Sequence, residues 1–470
     1  MSIHNLFMES TRNTNLARLA LAMQAQGIAS ARALADSLQV SQPTLSRWIA
    51  RLPPQQVERF GATRNAQYAL RRDVRSLGSS WPVYQIDASG RSRVAGELRA
   101  LHGGFRYRPS DPVPAWLVRD YPAGAFSGLP FFLQDIGPEG YVGRAIARSV
   151  SAGLNLPDNP ANWNDDDLLT YLVTQGDDLP GNLVLGDRAL ELAVRRIHSL
   201  PQSAIPLDRR QLDYGSLANQ AQRGEQHGSS AGGEQPKFLA TIRQSESSLI
   251  SVLVKFSVAD TSPVSERWAD LLLCEHLAAE VISTRGYSAA RTDVLDAAGR
   301  RFLEVERFDR TPSGGRCGLL SLAALEDGLL AGSAPDWISS ATLLSSAGLL
   351  STAHARELRW RWCFGNLIAN TDMHRSNTSV FLGHEIAFQL TPSYDMLPML
   401  YAPGNQGELG ARDFVPRPPL PAVADVWPQA AEAALDFWTR VAADSRVSGN
   451  FSHIASVAHR AVKELMTRFA

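Results

Sequence analysis

Cysteine is scarce in this chain. Cys274, Cys317 and Cys363 are the only three in 470 residues. They are scattered and odd in number, which excludes a disulfide framework and gives no zinc-ligand spacing. No apolar run approaches a membrane span, and the N-terminus lacks the apolar core of a secretion signal. The expected compartment is therefore the cytoplasm, with no membrane partner. Neither sign of charge dominates, since 46 Lys and Arg face 47 Asp and Glu. Internal repeats are absent. So are the two standard phosphate fingerprints, Gly-Lys-Ser/Thr opening a helix and G-x-G-x-x-G after a strand.

With 44% hydrophobic residues the chain can build two or three ordinary domains with substantial cores. Pro- and Gly-containing segments at 76–82, 402–410 and 415–421 read as a linker and surface loops. The balance of charge is uneven along the chain. Residues 1–75 carry Arg12, Arg18, Arg32, Arg47, Arg51, Arg59, Arg64, Arg71, Arg72 and Arg75 against Glu9, Asp36, Glu58 and Asp73.

Within that basic part, residues 30–52 read as two short helices, each opened by a serine N-cap and joined by a tight turn at 38–40. This is helix-turn-helix spacing. Ala33, Leu34, Leu38, Val40, Leu45, Trp48 and Ile49 are expected to face inward, and Gln42, Thr44, Ser46 and Arg47 outward towards a DNA groove. Residues 59–72 then offer a hairpin, a candidate wing with Arg64 near its tip. The positive excess suits phosphate contacts. A three-helix interaction domain that never touches DNA is the alternative.

Near the other end, Asn370-Thr-Asp-Met-His-Arg-Ser-Asn377 precedes Thr391-Pro-Ser-Tyr-Asp395. Asp372, Asn377 and Asp395 supply the oxygens that a kinase uses to orient a hydroxyl nucleophile and hold magnesium. The spacing alone is weak, because Asp and Asn are common turn residues. Upstream lies Gly228-Ser-Ser-Ala-Gly-Gly-Glu-Gln-Pro-Lys237. Its small residues, Gly232 and Gly233 among them, let backbone amides approach phosphate oxygens. Residues 238–242 and 249–256 read as strands, the second an apolar run containing Lys255. Lys255 either meets nucleotide phosphates or snorkels to solvent from a strand end. A helix over 265–281 offers Glu266, Asp270 and Glu275 as its partner, and Glu275 is chosen.

The order of these parts, with V-E-R-F-D-R at 305–310, N-T-D-M-H-R-S-N at 370–377 and L-T-P-S-Y-D-M-L at 390–397, resembles the HipA-type serine/threonine kinases of toxin–antitoxin systems. Segments 83–104 and 176–183 extend the resemblance over most of the chain beyond residue 80. The YjjJ-like subgroup, with a fused N-terminal helix-turn-helix, has this arrangement. The resemblance implies an α+β, bilobal fold. A winged helix-turn-helix over 1–75 would precede a mixed α/β part over 80–310 and a mainly helical lobe over 311–470.

It also implies ATP and magnesium. The backbone at Glu306 and Phe308 would receive adenine, with Lys255, Lys237 and His374 in the nucleotide site. Asp372 would be the catalytic acid/base, Asn377 and Asp395 the metal ligands. Ser230 would be autophosphorylated, where added negative charge would repel nucleotide; a plain turn serine is the alternative. Implied partners are a protein substrate, in the family sometimes an aminoacyl-tRNA synthetase, operator DNA, and an antitoxin. A transcriptional regulator, or an antitoxin, whose kinase-like part binds nucleotide without transferring phosphate is the other reading. Glu234-Gln235 and the segment 314–321 depart from the family pattern.

Overall fold

Serine opens both short helices of the N-terminal module. The computed structural model describes residues 3–61, 66–223, 235–245, 248–330, 332–404, 407–410 and 412–469. A long first helix α1 (Ile3–Gln26) leads through β1 (Ala29–Ser30) into α2 (Ala31–Leu38) and α3 (Gln42–Ile49). Ser30 Oγ accepts the Ala33 N–H at 3.1 Å and Ser41 Oγ accepts that of Thr44 at 3.4 Å, each satisfying an orphan donor of the first turn. Gln39, left-handed at φ 56°, closes α2. Leu34, Ala35 and Leu38 form the buried stripe, packed with Leu45 and with Leu19 and Met23 of α1. Ala33 is exposed, contrary to expectation, because it falls outside that stripe. A hairpin follows, β2 (Val57–Phe60) with β3 (Gln67–Leu70), and β3 also pairs with β1. Arg64 lies outside the described residues.

The hairpin runs directly into the next part. This part begins with β4 (Ser80–Ile86), β5 (Ser92–Leu101), β6 (Gly104–Pro109), α4 (Ala115–Asp120), β7 (Ala125–Phe126) and α5 (Phe131–Gln134). It continues with α6 (Gly140–Leu154), α7 (Asp165–Gln175), β8 (Leu183–Leu185) and α8 (Asp187–Ser203). Its antiparallel sheet has the order β7-β6-β5-β4-β8. Arg71 bridges Leu101, and Gly27 meets Gly103 so closely that a Cβ on either would stand 2.8 or 2.7 Å from the other's Cα. Both glycines have positive φ, so no larger residue fits there. Glu58, buried on β2, accepts from Arg71 at 2.8 Å, from Arg99 at 2.5 Å and from Arg106 at 2.6 Å. Arg72 pairs with Asp166 at 2.7 Å and Arg75 with Asp167, both acids in the first turn of α7. Part of the basic excess in 1–75 is therefore spent on internal ion pairs.

A second five-stranded sheet follows, of order β12-β13-β11-β10-β9. Its elements are β9 (Ile205–Pro206), α9 (Arg210–Arg223), β10 (Lys237–Ser245), β11 (Ser248–Phe256), α10 (Pro263–Thr284), β12 (Thr292–Ala297) and β13 (Arg300–Glu306). Alternation along β11 decides what each face does. Val252, Val254 and Phe256 pack with Tyr214, Ala218 and Ala221 of α9, which leaves Ser251, Leu253 and Lys255 on the opposite face.

The remaining chain holds β14 (Leu319–Ser321), α11 (Leu322–Leu329), α12 (Trp337–Ser346), α13 (Thr352–Leu367), β15 (Ser379–Phe381), β16 (Gln389–Leu390), α14 (Trp427–Ala443) and α15 (Gly449–Phe469). It is mainly helical. Its core is continuous with that of the first sheet and with α10, whose Leu271, Leu273 and Leu277 join Trp360, Phe364 and Phe437. Leu272 turns instead to Leu303 and Val305 of β13. A helix buried on several sides in this way is apolar around much of its circumference.

Candidate functional site

Lys255 cannot reach solvent. Its side chain is only 7% exposed, and Nζ donates to both Glu275 oxygens at 2.7 and 2.8 Å. Nζ also donates to Asp395 Oδ1. The helix α10 lies across the Lys255 face of the sheet and delivers Glu275, while Asp270 is occupied by Ser448 and Glu266, in the first turn, is exposed. Burial would lower the ammonium's pKa, but Asp395 and Glu275 outweigh it and hold the value above that of an ordinary lysine. Burial likewise pushes the Glu275 carboxyl up, against the pull of Lys255. Asp395 keeps 36% of its side-chain exposure. Burial works to raise it, yet Lys255, Lys237 and the nearby His374 carry it below the usual range. Lys237 stands opposite Lys255 in register on β10.

The loop after α13 brings the other acid. Trp438 Nε1 donates to Leu367 O at 3.0 Å and fixes the end of that helix. Asn370 then works in two directions. Its Oδ1 accepts the Asp372 N–H at 3.0 Å, and its Nδ2 donates to Asp395 O at 3.3 Å. Asn377 Nδ2 donates to Asp372 O at 2.7 Å and to Asp372 Oδ2 at 3.3 Å. The Asp372 side chain is 53% exposed, with His374 Nε2 3.8 Å away. Asp395 itself sits in the left-handed region at φ 54°. Such a conformation persists in a non-glycine residue only where its surroundings hold it. Here Arg361, buried in α13, donates to Thr391 O at 2.9 Å, and the Tyr394 hydroxyl is 2.7 Å from Ser379 Oγ.

At the far end of β13, the Glu306 N–H is committed to Arg291 O at 2.8 Å, so only its carbonyl is on offer as a backbone group. The Phe308 ring packs 5.7 Å from Tyr394 and 6.2 Å from Phe381. Gln235 donates to Phe256 O at 2.7 Å and caps the end of β11. Ser230, Gly232, Gly233 and Glu234 lie outside the described residues.

Among the described residues no group of three or more His, Cys, Asp or Glu is gathered for a metal. The oxygens present are the Asp395 carboxylate, the Asn377 amide oxygen and the Asp372 carboxylate. That set suits a hard cation that keeps several non-protein ligands, as magnesium does beside phosphates.

Sequence reasoning noted residues 176–183 and 305–310 separately and missed that they meet. Asp178 accepts from Arg307 at 3.1 Å and from Arg310 at 2.8 Å, while the Gly181 N–H donates to Asp309 at 2.9 Å. Residues some 130 positions apart in the chain carry no local signal of contact, whereas opposite charges in two unusual stretches did.

Comparison with known proteins gives the family. Residues 77–194 match the YjjJ-like toxin middle domain and residues 229–464 the HipA-like C-terminal domain. Toxin YjjJ of Escherichia coli K12 is 36% identical over 448 residues, covering 95% of this chain and 97% of that protein. This chain belongs to the YjjJ-like subgroup of the HipA-type toxins. Two solved structures are more distant likenesses of it. One is the Shewanella oneidensis HipA, crystallised with HipB and operator DNA, with TM-score 0.49, 14% identity, and 82% of this chain and 97% of that one covered. The other is the Helicobacter pylori proinflammatory kinase CtkA, with TM-score 0.32, 12% identity, and 50% and 94% covered.

Proposed function

We propose that the chain is an ATP- and magnesium-dependent serine/threonine protein kinase carrying its own DNA-binding module. The observation that bears most weight is the buried Lys255, bonded at once to Glu275 on α10 and to Asp395 beside the Asp372–Asn377 loop. A lysine so held is a fixed cation on one face of a sheet, with acids arranged around it as phosphoryl transfer requires. Lys255 and Lys237 would bind the phosphates, the Glu306 carbonyl and the Phe308 N–H would receive adenine, and His374, beside Asp372, would belong to the same site. Asp395 and the Asn377 amide oxygen would hold magnesium. Magnesium, when bound, neutralises charge on the phosphates.

Asp372 accepts the proton of the substrate hydroxyl as its oxygen forms the new bond to phosphorus and the bond to the leaving diphosphate oxygen breaks. Half-exposed, it is open to a hydroxyl on another protein. Ser230, in the glycine-rich stretch, is the proposed autophosphorylation site. An aminoacyl-tRNA synthetase or another translation protein would fit as substrate, with an antitoxin as a further partner.

For the N-terminal module the reading is a winged helix-turn-helix, supported by the serine-capped pair α2 and α3 and the hairpin β2–β3. On α3 the side chains of Gln42, Ser46 and Arg47 are exposed. Thr44 is half-buried and bonded to Ser41 at 3.0 Å and to Arg47 at 3.2 Å, so it orients Arg47 more than it offers itself. Arg64 would belong to the wing. Incubation of the pure protein with labelled ATP and magnesium, followed by phosphosite mapping, tests the enzymatic reading. Transfer to Ser230 or to an added protein is expected, and magnesium-dependent nucleotide binding without transfer would leave a nucleotide-responsive regulator instead.

A further inference from the structure

The loop after the E-R-F-D-R stretch, where the sequence departs from its family, folds into a tight hairpin. Arg310 bridges Arg316, and the Thr311 N–H donates to Gly315 O at 2.9 Å. Gly315 presses on the first sheet so closely that a Cβ would stand 2.1 Å from Ala88 O. This hairpin carries Arg316 into the interior, where it is only 3% exposed. Arg316 Nη2 donates to Asp177 O at 2.5 Å. Nη1 has no partner among the described residues and is closed off from solvent. An uncompensated buried donor of this kind calls for an explanation, and an absent ligand is one. Burial, then Arg310, push the guanidinium down to about 9, so it is still charged at neutral pH.

Arg316 lines a cleft of about 390 Å³ between α8 and the β9 edge of the second sheet. Arg196, Arg307 and Arg310 line it too. These four guanidiniums are answered by three carboxylates, those of Asp177, Asp178 and Asp309. One positive charge is left over. Thr241 and Ser251, cross-strand partners, add two hydroxyls to the wall. Leu200, Ile205 and Leu217 add an apolar part to the lining. The volume is that of a small-molecule site.

We propose that this cleft binds a small organic phosphate, its oxyanion against Arg316 and Arg196 and its organic body against Leu200 and Leu217. Guanidinium forks match phosphate oxygens, and hydroxyls complete the set. The apolar part of the lining gives a phosphate ester an advantage over the bare ion. This site is distinct from the Lys255 cleft and does not depend on phosphoryl transfer at Asp372.

Calorimetric titration of the full chain with inorganic phosphate and with phenyl phosphate tests the proposal. Saturable binding is expected, tighter for phenyl phosphate, and weakened about tenfold in Arg316→Met. Since Arg316 is buried and its variant could misfold, Arg196→Gln, at a side chain 49% exposed, provides the second reading and should also weaken binding. Any phosphate held at Lys255 is lost in the double variant Lys255→Met/Glu275→Leu, which should keep the site that both arginine variants weaken. No phosphate binding, wild-type binding in both arginine variants, or loss of all binding in the lysine double variant would each overturn the site. Equal affinity for the two probes would overturn the organic body.

Discussion

Lys237 and Lys255 stand directly opposite each other on neighbouring strands of the second sheet. Like charges so placed repel, and here Glu275 and Asp395 answer them. Lys255→Met should therefore do more than remove a phosphate contact. It leaves Glu275, 4% exposed, without its cation. Breaking a buried pair in this way costs about 3–5 kcal/mol. The double variant Lys255→Met/Glu275→Leu should recover much of that stability in denaturant unfolding, while phosphate transfer stays absent. A single variant as stable as wild type would show that the pair is not needed for the fold.

Asp372→Asn is expected to keep nucleotide binding and lower transfer by about 10²–10⁴-fold, because the amide cannot accept the hydroxyl proton. Asp372 is exposed and its backbone N–H, held by Asn370, is unchanged, so the fold should survive. Wild-type transfer rates in the variant would remove Asp372 from the mechanism.

Asp395→Ala should lose the magnesium dependence of nucleotide affinity, since a direct oxygen ligand disappears. Calorimetry with and without magnesium reads this directly. An unchanged difference between the two conditions would move the metal elsewhere.

Acid should weaken the contact between segments 176–183 and 305–310. Burial works to raise the Asp178 carboxyl, but Arg307 and Arg310 carry it far below its ordinary value. A depressed carboxyl contributes stability above its unfolded pKa of about 3.9, and that contribution is lost as pH falls towards the folded value. The stability gap between wild type and Asp178→Asn should thus be full at neutral pH and shrink below about pH 4. A gap independent of pH would show that charge is not what Asp178 supplies.

Arg47→Ala should weaken DNA binding by about 1–3 kcal/mol if the guanidinium meets a base. If it meets a phosphate, affinity should drop on all sequences and the salt slope flatten by about one unit. Kinase assays should not change. A full-length protein with no DNA affinity at low salt would turn the module into a protein-binding one.

Local chemistry was legible and long-range chemistry was not. Serine caps at Ser30 and Ser41, the β11 strand around Lys255 and the helix bearing Glu275 follow from patterns within a few residues. Glu275 could be chosen over Asp270 only by guess, because what distinguishes them is Ser448, from the far end of the chain. The long α1 carries little amphipathic pattern and went unforeseen. The arginines of 1–75 looked uniform in composition. Tertiary pairing divides them, with Arg71, Arg72 and Arg75 paired to acids of the fold and Arg47 exposed on α3.

That division has a mechanical consequence. Glu58, Asp166 and Asp167 pin the hairpin end of the N-terminal module to its neighbour, and the meeting of Gly27 with Gly103 leaves no gap to pivot in. The module is a bracket and not a tether. On the function proposed for it, a copy seated on a double helix through α3 would hold the Lys255 cleft at one bearing from the groove. Which proteins it could modify there would depend on which side of the duplex they approach from.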